Sequence, residues 1–194
     1  CKTKMQTELC SPSSILAFES SFNSLVSGAS GKILESTISS VESIASLEAD
    51  ILPKITINPE LLGETVIMKL NGGLGTGMGL DKAKSLLKVK GEDTFLDLSC
   101  KQIEYLRSKY DTNVKFMLMN SFSTSDDTMS FLKEKYPSLY SKDIELMQNK
   151  VPKLDATTFA PAECPSNKDN EWCPPGHGDL YAALVGSGTL DKLL

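Results

Sequence analysis

The stretch TVIMKLNGGLGTGMGLDKAKS, residues 65–85, decides the fold class. Thr65 to Leu70 is a short, mostly apolar run, the pattern of a strand buried in a parallel sheet. Five glycines then fall within the eight positions 72–79. Glycines directly after a strand let the backbone take positive φ and approach a ligand closely, and successive exposed N–H groups form an anion-binding nest. In an open α/β sheet, ligands bind at the carboxyl ends of the strands. The physical expectation is a phosphate cradle; a flexible glycine turn without a ligand is the competing reading. Neither of two common phosphate motifs fits. A P-loop needs Gly-Lys-Ser/Thr, but Ala83 precedes Lys84 and Ser85. The dinucleotide pattern G-x-G-x-x-G fails because its third glycine falls on Met78 or Leu80.

Outward from this loop, Thr94 and Asp97 make a capping signature that opens a helix running to about Lys109. Residues 113–120 read as the next strand. Ser123 and Thr124 cap a helix to about Tyr136, and residues 144–148 form a third short strand. Strand, helix, strand, helix, strand at this spacing implies right-handed crossovers and a mostly parallel sheet, an α/β fold of the Rossmann-like kind. Residues 151–175 hold five of the nine prolines and read as a long loop. A helix follows from Asp179, interrupted at 186–188, with Asp179 as its cap. On the other side, residues 13–48 are serine-rich and read as two helices, with Ile15, Phe18, Phe22 and Leu25 on one face and Ile33, Leu34, Ile38 and Val41 on a looser second stripe. The expected organisation is a helical appendage and linker over 1–60, then a nucleotide-binding domain over 61–194.

Composition narrows the partners. The net charge is −5, so global attraction to nucleic acid is not expected. Locally, residues 69–90 carry five lysines against one acid, Asp81, which suits a small anionic ligand or a solvated basic face. No apolar run approaches the roughly 20 residues of a membrane span, and the first ten residues lack the apolar stretch of a signal peptide. The five cysteines make no C-x-x-C pair, which argues against a zinc ribbon and fits reduced thiols in a cytoplasmic setting. The chain starts at Cys1 and stops within a helical pattern, so both ends are expected to be cuts in a longer chain. Oligomeric state is not legible.

Four blocks make the reading more specific. Leu70–Gly79 (LNGGLGTGMG) with Lys84-Ser85, then Phe95–Asp97, Gln148 ahead of a Pro-Lys-Leu stretch, and Pro174–Tyr181 (PPGHGDLY) together resemble the eukaryotic-type UDP-glucose pyrophosphorylases. Related sugar pyrophosphorylases more often carry Ala where this chain has Asn71. The family usually has Pro where this chain has Ala83, and a proline there would stiffen the approach to Lys84.

The resemblance implies a nucleotidyltransferase fold of the glycosyltransferase A-like kind, here truncated. It also implies formation of UDP-glucose and pyrophosphate from UTP and glucose 1-phosphate. The nucleophile in such a reaction is already an anionic phosphate oxygen, so catalysis is mainly alignment and neutralisation of charge. Carried over, Leu70, Asn71, Gly72, Gly73, Gly75 and Thr76 contact the nucleotide. Lys84 is the catalytic cation at the α-phosphate and leaving pyrophosphate. Gln148 presents a donor and an acceptor to the imide edge of uracil. Gly176 joins the nucleotide side, and His177, the only histidine, faces the sugar phosphate. Mg2+ is expected from the substrate class, with its aspartate ligand beyond Leu194, so this chain is expected to show little or no turnover. Two alternatives stay open: a relative using another sugar 1-phosphate, and a non-catalytic nucleotide-binding chain.

Overall fold

The computed structural model describes residues 1–194, with the side chain of Thr76 outside the description. Strand β1 (Val66–Asn71), helix α3 (Phe95–Tyr110), strand β4 (Lys115–Asn120), helix α4 (Ser125–Lys135) and strand β5 (Glu145–Met147) form the centre. The three strands pair in parallel in the order β1-β4-β5. Asn71 lies opposite Asn120, and Asn120 lies opposite Met147, so all three strands end along one line. Between β1 and α3, a small antiparallel pair joins β2 (Lys88–Lys90) and β3 (Asp93–Thr94).

The alternation of β4 explains the two cores. Phe116 and Leu118 face one side of the sheet and pack with Leu96, Cys100 and Ile103 of α3 and Leu132 of α4. Met117 and Met119 face the other side and pack with Leu146 and with Ala183. Successive side chains of a strand point to opposite faces, so a strand covered on both faces reads as the continuous apolar run seen in the sequence. Ala183 belongs to α5 (Leu180–Gly186), which is followed by α6 (Thr189–Leu193). The break between them is confined to Ser187 and Gly188, Gly186 being the last helical residue of α5. The capping box at Thr94 is complete: Thr94 Oγ1 accepts from Asp97 N at 3.1 Å, and the Asp97 carboxylate accepts from Thr94 N at 2.7 Å.

The proline-rich loop is more ordered than the sequence suggests. A two-residue antiparallel pair, β6 (Val151–Pro152) with β7 (Trp172–Cys173), closes it. Cys164 and Cys173 are both free thiols, like the other three cysteines. At the N-terminus, α1 (Lys2–Thr7) and α2 (Pro12–Val26) form, α1 burying Met5 completely. The second expected helix does not. Residues 28–46 are irregular apart from one 3-10 turn at Glu35–Thr37, and Ile33, Leu34, Ile38, Val41 and Ile44 stay exposed. Serines compete for backbone hydrogen bonds and β-branched residues lose rotamer freedom in a helix. An apolar stripe adds helical stability only when it packs, and here it does not pack. No helix among the described residues is long and apolar enough to cross a membrane.

Candidate functional site

A carboxamide stands at, or directly after, the end of each central strand. Asn71 closes β1, Asn120 closes β4, and Gln148 follows β5 directly. Asn71 is buried, and its Nδ2 donates to Asn120 Oδ1 at 2.7 Å and to Thr128 Oγ1 at 2.9 Å. Asn120 Nδ2 in turn donates to Glu145 Oε1 at 2.7 Å. This network ties the ends of β1 and β4 to each other, to Thr128 of α4 and to Glu145 at the start of β5. The Asn71 side chain is therefore occupied internally rather than held out toward a ligand. Asn120 and the adjacent Ser121 were not singled out from sequence. The signal for them was present in the recurring amide at each strand end.

The loop itself folds back as a narrow hairpin. Leu74 pairs with Ala83 in an antiparallel bridge. Gly75 N donates to Lys82 O and Lys84 N donates to Gly73 O, both at 3.0 Å. The apex is a 3-10 turn over Thr76–Met78, closed by Met78 N donating to Gly75 O at 2.8 Å. Gly79 has φ +72°, which a side chain would strain. Two N–H groups of the run from Gly72 to Gly79 are thus engaged inside the loop, so the cradle is narrower than a full row of free amides. The fold-back returns Lys84 to the end of β1. Its side chain is exposed, and among the described residues it makes no ion pair. Ala83 is fully buried at the bridge, so packing holds the position that a proline would otherwise stiffen. Leu70, near the end of β1, is exposed. Thr76, expected at the nucleotide, has its side chain outside the described residues.

Gln148 connects this loop to the second block. It is buried, and its Nε2 donates to the carbonyl of Gly176 at 2.7 Å. That partner is an acceptor, which sets the orientation of the amide and turns Oε1 toward Gly72. A Cβ built on Gly72 would collide with this Oε1, so a side chain there must displace the Gln148 amide. From the other side, Ser121 Oγ donates to Gly72 O at 2.8 Å. Gln148 therefore bridges Gly72 and Gly176, and His177 stands exposed at the next position. Gly176 has φ +107°.

Asp179 does not cap α5 with its side chain. It accepts instead from Asn149 N at 2.7 Å and Asn149 Nδ2 at 3.0 Å. Burial pushes its carboxyl above the usual carboxylate range against those two bonds. Cavities of about 630 and 750 Å³ open elsewhere, one along the free edge of β5 and one beneath α2. Neither is lined by the glycine loop. Among the described residues, no group of three or more His, Cys, Asp or Glu is placed to hold a metal ion.

A parallel sheet with a glycine hairpin, a returning lysine and amides at its carboxyl edge is the α/β architecture of the nucleotidyltransferase kind. The family model described as UTP--glucose-1-phosphate uridylyltransferase matches residues 15–194, and the chain belongs to that family. It is 46% identical over 136 residues to the UTP--glucose-1-phosphate uridylyltransferase of Solanum tuberosum, covering 70% of this chain and 28% of the relative. The Saccharomyces cerevisiae enzyme of the same name is 44% identical over 139 residues, covering 71% and 28%. Among solved structures, a UDP-glucose pyrophosphorylase variant from Leishmania major in complex with UDP-glucose superposes with a TM-score of 0.92 at 45% identity, covering all of this chain and 40% of that one. A Trypanosoma brucei structure described as UDP-glucose phosphorylase gives 0.90 at 47% identity, covering 100% and 41%. The chain thus spans well under half the length of the relatives it matches.

Proposed function

We propose that this chain carries the nucleotide-holding part of a uridylyltransferase that forms UDP-glucose and pyrophosphate from UTP and glucose 1-phosphate. The observation that carries the reading is the convergence of the glycine hairpin, Gln148 and the Gly176 turn at one sheet edge, with Lys84 returned to it. In the reaction, a phosphate oxygen of the sugar phosphate attacks the α-phosphorus of UTP. The bond from that phosphorus to the bridging oxygen breaks, and pyrophosphate leaves. The nucleophile is already an anion, so no proton need be removed to create it. The work left to the protein is to align two polyanions and offset their charge.

Within this account, the free amides of the loop and the Lys84 ammonium face the phosphates. Leu70, Asn71, Gly72, Gly73, Gly75 and Thr76 form the wall against the uridine, Asn71 acting through the strand-end network. Gln148 uses one amide hydrogen on Gly176. Its second hydrogen and Oε1 remain for the uracil edge. His177 faces the sugar phosphate. Glucose as the sugar rests on family membership. A cytoplasmic setting fits the five free thiols. Magnesium accompanies nucleotide triphosphates as a substrate complex, but the described residues supply no ligand cluster for it, and no step is assigned to the metal.

Titration of UTP against the wild-type chain and Lys84→Ala tests this. Removing a preorganised cation from the phosphates is expected to weaken binding at least tenfold, in line with the roughly 1.5–3 kcal/mol of a hydrogen bond to a charged group. Equal affinity in the two proteins would take Lys84 out of the site.

A further inference from the structure

We propose that helix α1 belongs to the framework of the site, with Lys4 as the positioning residue that sets the Gly176–His177 turn. This rests on the reading of that turn as ligand-facing. From sequence, the first residues carry no chemistry, yet Lys4 makes polar contacts to residues 158 and 167 positions further along the chain. Lys4 Nζ pairs with the Glu171 carboxylate and donates to Ala162 O at 3.0 Å. Glu171 Oε1 accepts from Cys164 N at 2.9 Å. One lysine thus joins both arms of the 151–173 loop. The two partners are only 23% and 12% exposed, so water and salt screen this pair far less than a surface pair.

Between these arms lies Trp172, the only tryptophan, which is buried. Lys4 stands 5.6 Å and Lys150 4.8 Å from its ring centroid. Lys150 is held in turn by Glu8 at 2.7 Å, again from the N-terminal segment. Trp172 is thereby clamped by two cations, each fixed by a carboxylate. From β7 the chain passes through Pro174 and Pro175, whose rings fix φ, and arrives at Gly176. Two prolines in series transmit the position of Trp172 to the Gly176 carbonyl, the acceptor of Gln148. Helix α2 braces the far side: Ser13 Oγ donates to Ala182 O at 3.0 Å, and Ser11 and Ser13 fill the space over Gly186, where a Cβ would sit 2.5 Å from Ser11 Oγ.

Three variants decide the matter. Lys4→Met removes the charge at similar length, Lys4→Arg restores it, and Lys88→Met breaks the exposed Lys88–Glu92 pair as a control. Amide hydrogen exchange over 172–179, acrylamide quenching of Trp172 fluorescence and UTP affinity are read on each. Lys4→Met is expected to speed exchange at 176–179 and to weaken UTP by about fivefold or more, the lower end of coupling between sites. Exchange in β4 stays as in wild type. Lys4→Arg recovers both, and Lys88→Met changes neither. Unchanged exchange at 176–179 and unchanged quenching in Lys4→Met would overturn the proposal, as would faster exchange with unaltered UTP affinity. If Lys4→Met does not fold, Glu171→Gln, which keeps an acceptor for Cys164 N, takes its place with the same expected results. Wild-type chain that fails to bind UTP defeats the functional reading instead, and the exchange and quenching readouts still decide whether Lys4 holds the turn.

Discussion

At the scale of single residues, the close approach that joins the glycine loop to the second block is that of Gly72 to Gln148. Gly72 and Gly73 are neighbours with opposite tolerances. A Cβ on Gly72 collides with Gln148 Oε1, whereas a Cβ on Gly73 meets nothing within 4 Å. Gly72→Ala is therefore expected to push Gln148 off the Gly176 carbonyl and to destabilise the chain by about 1–3 kcal/mol, as overpacking does. Gly73→Ala should stay within roughly 1 kcal/mol of wild type. Urea denaturation of the two variants checks the contrast, and equal losses would contradict the placement of Gln148. Sequence reading could locate these glycines and the returning lysine, because glycine after a strand has few other uses. It could not tell that Asn71 is turned inward. That depends on Asn120 and Thr128, 49 and 57 residues away along the chain.

At the scale of elements, the helix with the strongest local signal is also the best secured. Asp97 is buried at the start of α3 and also accepts from Tyr136 OH at 2.8 Å. Burial raises its pKa, but the Thr94 backbone and side-chain hydrogen bonds, Tyr136 and the Lys135 charge outweigh burial and hold it below the usual carboxylate value. A carboxylate depressed in the folded state stabilises above its unfolded pKa, about 3.9, and that contribution is lost as pH falls through the folded value. Asp97→Asn is expected to cost about 1–2 kcal/mol at pH 7 and to flatten the fall in stability below about pH 4. Thermal melts across that range measure both, and an unaltered acid slope would remove Asp97 as its source. The segment 28–46 teaches the reverse lesson. Its periodicity suggested a helix, but serine and β-branched content favour no regular structure unless an apolar face is buried, and here none is. Ile38, 60% exposed, can accordingly be changed to Ser with a stability change within about 0.5 kcal/mol. A loss of 2 kcal/mol or more in the same melts would mean that the segment is packed. The parallel core was legible because strands covered on both faces leave uninterrupted apolar runs. The β6–β7 pair was not, because two residues per strand carry no periodicity.

At the scale of the whole molecule, all three strand ends, the glycine hairpin and the Gly176 turn lie at one edge, and the N-terminal helices contact the segments on either side of that turn. The proposed nucleotide grip lies at this edge, where the described residues hold no metal-ligand cluster, in a chain that spans 27% to 41% of the relatives it matches. Mixed with UTP, glucose 1-phosphate and magnesium, the chain is expected to release no pyrophosphate above background; sustained turnover would show that it carries the complete machinery. Base selectivity tests the grip itself. A buried amide left unpaired costs about 1–3 kcal/mol, so an amide reading the imide edge of uracil should favour UTP over CTP by roughly tenfold or more. Calorimetric titration of the wild-type chain with each nucleotide measures this directly. Saturable UTP binding is expected, with CTP binding at least about tenfold weaker. No saturable UTP binding, or equal affinity for the two, would contradict it.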